Sequence, residues 1–268
     1  MHPNDFSYGL LTPALGYVMS SLGAFIGLRC TTRARAYTGR ARGRWLALAA
    51  VSIGVTGIWV MHFIAMLGYT IPGETIRYNV PVTILSMLLA VIVVGVGLFI
   101  VGFGGDGYRP LLIGGVVAGL GVASMHYMGM AALRMSAAMT YSLPLLALSV
   151  IIAIVAATAA LWAALRLRGI LSTLGAALIM GVAVSGMHYT GMAAMSIHAA
   201  RAGTGMLMGG ATAEGFLLPL IIGISVLSFA MTATIVLSPS EAEIRSDADL
   251  MERIGQARSA RQLAPAGR

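Results

Sequence analysis

Three histidines carry the chemistry that this chain can offer. Met61-His62, Met125-His126 and Met187-His188 stand at successive intervals of 64 and 62 residues, and each histidine is followed four places later by a methionine: Met66, Met130 and Met192. Positions four apart on a helix share a face, with Cβ atoms about 5–6 Å from each other. Each copy therefore presents an imidazole and a thioether on one stripe. A small residue lies three places after each histidine (Ala65, Gly129, Gly191), and Gly57, Gly121 and Ala183 fill the preceding turns. Small residues let membrane helices approach closely. Thioether is a soft ligand and imidazole a borderline one, and this mixture without carboxylate suits copper better than calcium, magnesium or manganese; zinc seldom takes a thioether. The plain alternative for any one copy is packing, because methionine fills gaps in apolar helices and the chain has 18 of them. A single intramembrane histidine can also serve as a simple interhelical hydrogen-bonding group, worth under ~1 kcal/mol on average. Three level copies of one cluster favour function, since ionisable groups within a membrane mark functional sites.

The elements that must position these residues follow from composition. Of 268 residues, 58% are hydrophobic and only 10% charged, against about 25% charged in soluble domains. The chain is a membrane protein by composition. Its one cysteine, Cys30, excludes both an internal disulfide and a thiolate cage. The N-terminus "MHPNDFSYG" lacks the positive region of a cleaved signal peptide, so the first apolar run is expected to be a retained span. About 20 apolar residues cross a hydrocarbon core, and seven runs qualify: 8–29, 45–69, 80–103, 110–133, 143–165, 170–196 and 215–237. The runs are too long for barrel strands, and lipid otherwise admits only helices. The predicted fold is all-α, a seven-transmembrane-helix bundle over residues 1–237 followed by a short cytoplasmic tail over 238–268.

All 17 basic residues are arginine. With the N-terminus outside and the C-terminus inside, segments 29–44, 104–109, 166–169 and the tail carry 14 of them, leaving Arg77, Arg134 and Arg201 opposite; the positive-inside rule selects this orientation. The basic segment "RCTTRARAYTGRARGR" is expected to be a loop between the first two spans and to attract anionic head groups. Topology thereby explains the net charge of +8, and no nucleic-acid partner is expected. The second, fourth and sixth spans then run outward. His62 lies 17 residues beyond Trp45, His126 lies 16 beyond Pro110 and His188 lies 18 beyond Ile170. At 1.5 Å per residue each is about 25 Å above the inner surface, in the outer part of the bilayer. The spacing predicts a threefold repeat of a two-helix unit plus one extra helix at an end.

The three copies resemble the MHYT motif that names the MHYT domain, a bacterial integral-membrane sensor family. "MHYMGM" and "MHYTGM" follow the pattern, while "MHFIAM" departs from it; the resemblance extends over about residues 8–237. It implies a multi-pass protein of the bacterial cytoplasmic (inner) membrane in which Met, His and Tyr near the outer face bind copper and sense a diatomic gas such as oxygen, carbon monoxide or nitric oxide. Position by position, the implied ligand candidates are Met61, His62 and Met66; Met125, His126, Tyr127 and Met130; and Met187, His188, Tyr189 and Met192. Phe63 replaces the first tyrosine, so a role needing three phenols does not carry over, whereas a His-Met site does. The resemblance also implies signalling, because such domains usually precede cyclic-di-GMP cyclase and phosphodiesterase domains or a histidine kinase. Only some 31 residues follow residue 237, fewer than a catalytic domain needs. The chain is therefore expected to be no enzyme, and to signal to a cytoplasmic partner through its inner loops or tail.

The tail opens with Ser238, Pro239 and Glu241, a capping-box pattern. Ile244, Ala248, Met251 and Ile254 form a modest apolar stripe that fits a docking helix or a solvated one. Trp45, Tyr8, Tyr69, Tyr78 and Tyr141 fall where interfacial aromatic belts are expected. His2 and His198 read as solvated, Met206 and Met208 as a weak second thioether pair, and Cys30 as structural. Two other functions compete with a sensor: a metal or proton transporter or channel lined by the His-Met stripes, and a haem-binding redox protein with paired axial histidines. Against transport, the Ala/Gly/Val-rich inner halves of the spans look sealed. Against haem, one of three equivalent histidines stays unexplained.

Overall fold

Asn79 shows how the chain starts a span: its side chain accepts from Val82 N at 3.2 Å and proline follows at the start of the helix, so the cap replaces a donor partner that the first turn lacks. The computed structural model describes residues 6–105, 107–198 and 209–237. It divides into two units, Met1–Met231 and Thr232–Arg268. The expectations for His2, Met206, Met208 and the tail stripe beyond residue 237 lie outside the described residues.

Among the described residues seven helices are long and apolar enough to cross a membrane, as the hydrophobic runs predict. The first is α1 (Leu11–Ala36). The second, Gly39–Leu67, comprises α2 (Gly39–Val51), a π-helical stretch (Ser52–Val60) and α3 (Met61–Leu67). The third to sixth are α4 (Val80–Phe103), α5 (Tyr108–Ala131), α6 (Leu143–Arg166) and α7 (Ile170–Ala193); the seventh opens with a short π turn and continues as α8 (Leu218–Leu237). The main departure from expectation is the basic stretch, which is not a loop. α1 runs on through Arg29, Arg33 and Arg35, and only Tyr37 and Thr38 separate it from α2. Alanine and arginine are strong helix formers, and the arginines find partners along the rods. The Arg33 guanidinium lies 5.2 Å over Trp45, and that of Arg42 lies 5.3 Å over Phe103. Arg35 donates to the carbonyls of Leu165 and Leu167 at 2.6 and 2.7 Å, at the end of α6, where helical carbonyls lack partners.

The threefold repeat is visible in the packing. α4 lies between the second span and α5, α6 between α5 and α7, and α1 between α7 and the second span. Three inner helices are thus ringed by three outer ones, and the repeating unit is an outer helix followed by its inner one. The extra helix is the last: α8 is joined to the π stretch by a 2.7 Å bond between Ser228 and Thr56 hydroxyls. Each unit is closed by one backbone bond at the same place. Ser7 N donates to Gly68 O at 3.0 Å, Asn79 N to Ala132 O at 2.8 Å and Ser142 N to Ala194 O at 2.7 Å. The three acceptors are the C-cap residues of α3, α5 and α7, each six places after its histidine. Short antiparallel pairs extend two of these closures: β1 (Arg77–Tyr78) with β2 (Leu133–Arg134), and β3 (Ala138–Tyr141) with β4 (Met195–His198).

Glycine permits the close approach inside this ring. A Cβ on Gly23 in α1 would collide with the backbone of Gly57, and one on Gly119 in α5 with the backbone of Ile154 in α6. A Cβ on Gly175 in α7 meets nothing. Gly119→Val is therefore expected to cost about 1–3 kcal/mol through overpacking, whereas Gly175→Ala should be neutral or stabilise by up to ~1 kcal/mol through helix propensity. Thermal unfolding in detergent, followed by circular dichroism, should show a clear fall in midpoint for the first and none for the second.

Candidate metal centre

The structure brings His62, His126 and His188 together. They lie on α3, α5 and α7, are 1%, 1% and 2% exposed, and offer ligand nitrogens all within 4.8 Å of one another. His62 Nδ1 sits 3.0 Å from His188 Nδ1 and 3.1 Å from His126 Nδ1. The ring centroids are 4.9, 4.9 and 5.2 Å apart, with the planes near perpendicular. Three nitrogens converging on one point is the arrangement of a facial ligand set. A single ion held by imidazoles at about 2.0 Å separates its ligand nitrogens by roughly 3.3–3.5 Å, so small ring movements convert the observed spacing into coordination distances.

The apolar setting sharpens the point. A neutral imidazole has one donor nitrogen and one acceptor nitrogen. His62 Nδ1 lies within hydrogen-bond reach of both other Nδ1 atoms and can meet them only as one donor or one acceptor shared between two. A cation that accepts all three lone pairs removes that sharing, and a buried triad of this kind could hold a metal ion. Among the described residues the acidic side chains are Glu74 and Glu214. Glu74 is engaged on the surface by the hydroxyl and backbone N of Ser136, so the centre itself has no carboxylate.

Each ring is seated by its neighbour in the repeat. A Cβ on Gly129 would meet Nε2 of His62, and one on Gly191 would meet Nε2 of His126. In these two cases the small residue three places after one histidine is thus the seat for the ring of the preceding copy; Ala65, at the same offset in the first copy, is also buried. The two Nε2 atoms are buried without a hydrogen-bond partner. Leaving a polar group unsatisfied costs about 1–3 kcal/mol, and on this side the rings are fixed by their packing against glycine rather than by a hydrogen bond.

The residue after each histidine forms an edge-on aromatic neighbour: Phe63 at 4.7 Å, Tyr127 at 4.8 Å and Tyr189 at 4.9 Å between centroids. The phenols lead elsewhere. Tyr127 hydroxyl bonds Ser149 Oγ on α6 at 2.7 Å, and the Tyr189 ring stacks on Phe6 at 5.8 Å. Met61, Met66, Met125, Met130, Met187 and Met192 are all buried; Met61 lies against α1 at Gly16. Tyr69 and Tyr78, expected in an interfacial aromatic belt, are buried, Tyr78 as part of β1. Tyr78 packs edge-on over Phe63, and burial pushes its phenol pKa up. His198 is exposed at the end of β4, apart from the triad. Ser149 escaped sequence reasoning, although a lone hydroxyl in the apolar run 143–157 is a signal for a specific partner.

Comparison with known proteins agrees with this geometry. A family model described as MHYT, a bacterial signalling protein N-terminal repeat, matches residues 56–115 and 119–177. The chain belongs to the MHYT family. The two matched segments contain the first and second histidine clusters, and the third is placed by the threefold packing. MucR of Pseudomonas aeruginosa, a bifunctional diguanylate cyclase/cyclic di-GMP phosphodiesterase, is 36% identical over 249 residues, 90% of this chain and 35% of the relative. NbdA of the same organism, a cyclic di-GMP phosphodiesterase, is 38% identical over 188 residues, 68% of this chain and 24% of the relative. The signaling protein YkoW of Bacillus subtilis is 30% identical over 204 residues, 72% of this chain and 24% of the relative. The chain thus spans about a quarter to a third of the length of these relatives. No solved structure matches it. Seven apolar helices and this family make it a multi-pass protein of the bacterial inner membrane.

The seating of the rings yields a direct test. Gly129→Ala displaces His62 and should weaken metal binding by about 10–100-fold, the range for outer-shell supports of metal ligands. Gly186→Ala, where the added methyl meets nothing, should leave affinity unchanged. Competition titration with a chromophoric chelator separates these outcomes, and equal affinities would contradict the seating.

Proposed function

We propose that this MHYT domain is a non-catalytic membrane sensor whose three histidines hold a copper ion near the outer face, and that a diatomic gas or a change of redox state is its signal. The observation that carries this reading is the convergence of three buried Nδ1 atoms in a layer without carboxylate. That donor set, with methionine sulfurs within the same helical turns, suits copper on grounds of softness and affinity order. Bound there, the ion would supply a centre to which a small gas could coordinate. The protein's part is to fix the rings, exclude water and carry a change in ring positions to the helices.

Several features favour this over its competitors. Nδ1 atoms 3.0–3.1 Å apart leave no room for a macrocycle between axial histidines, which favours one ion over haem. The space inward of the triad is lined by alanine, valine, leucine, isoleucine and methionine, a poor path for a metal ion or proton, which favours sensing over transport. The arginine distribution supports an outside N-terminus, with residues 1–237 as the sensing domain and 238–268 as a cytoplasmic tail. The names of MucR and NbdA suggest that the receiving partner, reached through the inner loops or tail, belongs to cyclic-di-GMP turnover. The six methionines are proposed as accessory ligands and the tyrosines as supports of the rings, given the bond from Tyr127 to Ser149.

Elemental analysis of the purified protein tests the proposal. Copper is expected in stoichiometric amount in the wild type, to be lost in His62→Ala, His126→Ala and His188→Ala alike, and to persist more weakly in Met66→Leu or Met130→Leu. Copper retained in all three histidine variants would refute it.

A further inference from the structure

Inward of the triad the bundle encloses a cavity of about 60 Å³. Every residue that lines it is aliphatic or methionine, and they come from the second span and from α4 to α7. On α7 the lining runs from Met180 to Met187, two helical turns or about 10 Å, and ends at the residue that precedes His188. The cavity thus begins at the depth of the metal layer.

Its origin lies in the pairing of α6 with α7. The neighbouring seams are closed by glycine contacts: Gly97 with Gly114 between α4 and α5, and Gly115 with Thr158 and Gly119 with Ile154 between α5 and α6. Between α6 and α7 the wall is instead alanine, including Ala157, Ala160 and Ala183, while Gly175 and Gly186 of α7 approach nothing. Ala157, Ala160 and Ala183 are half-buried rather than buried, so this seam is the side on which the cavity meets the bilayer.

We propose that this cavity is a binding site for one small apolar gas molecule, entered from the hydrocarbon between α6 and α7 and leading to the triad. A cavity holds a water when it offers about 10–15 Å³ on this measure together with two to four polar partners. This one has the volume several times over and none of the partners among its lining side chains, so it stays dry. Apolar cavities of this kind take up xenon, and this one is smaller than those that admit an aromatic ring. A gas that partitions into lipid thereby reaches the His layer without crossing the strand pairs above it. The binding site stands on the cavity alone; its role in delivery rests on the gas-sensing reading given above.

Xenon is the probe, and it needs neither metal nor signal. In the full-length protein with 13C-methyl-labelled methionine, dissolved xenon should shift the Met180 and Met187 resonances and leave Met61 unmoved. Ala157→Leu should abolish the shift by filling the cavity, and Ala183→Val should reduce it if the larger substitution fails to fold. Uniform small shifts of all methionines, or full shifts in both variants, would overturn the site. In copper-loaded protein the same variants should slow the spectral response to nitric oxide several-fold, with the end-point spectrum unchanged. Xenon binding lost with the response rate intact would overturn the delivery role and leave the site standing. No nitric oxide response in the wild type, with xenon bound as expected, would count against the gas-sensing reading instead.

Discussion

Burying three imidazoles edge to edge within a membrane is unfavourable on its own terms, and the rest of the fold is arranged around keeping them there. Two Nε2 atoms have no partner, and the single Nδ1 of His62 is shared between the Nδ1 atoms of His188 and His126 at 3.0 and 3.1 Å. A lipid-exposed histidine could turn toward the interface; these are held, because glycine of the next inner helix closes off one side of the His62 and His126 rings and the following aromatic side chain packs edge-on against all three. A cation at the centre, accepting the converging lone pairs, would offset the cost of burying them.

The threefold plan solves the positioning problem economically. One local pattern, repeated, makes α5 and α7 each both the source of a ring and a seat for the ring before it. The backbone closures from Ser7, Asn79 and Ser142 to the C-caps six places beyond each histidine lock each outer helix to its inner partner at the depth where register matters most. Regular as it is, the plan is broken once: the second span contains the π stretch Ser52–Val60 immediately before Met61. Such widened turns concentrate at functional sites, and this one carries the hydroxyl bond to α8 through Thr56. It also coincides with the copy of the motif in which phenylalanine replaces tyrosine.

The spans and the meeting of the histidines were legible because each rests on a periodicity. Twenty apolar residues announce a helix, and 64- and 62-residue intervals place equal residues at equal depth on helices that run the same way. The seats were legible in part, as small residues at a fixed offset, though their role as a floor for the neighbouring ring requires the helices to be assembled. Direction within a turn was not legible: Tyr127 adjoins His126 in sequence, yet it points to Ser149, a contact across 22 residues with no local signature. The strand pairs were equally hidden, since two to four residues give no alternation to read. The helical path of Arg29 to Arg44 was masked by charge, which marks a membrane boundary but says nothing about backbone conformation.

The claim that most of this depends on is that one ion is held by three imidazoles. Pulsed electron paramagnetic resonance of the Cu(II)-loaded protein, with natural-abundance and 15N-labelled histidine compared, counts the imidazoles directly through their remote nitrogens. Three coupled rings in the wild-type protein is the predicted result. A spectrum showing one ring or none would contradict the account.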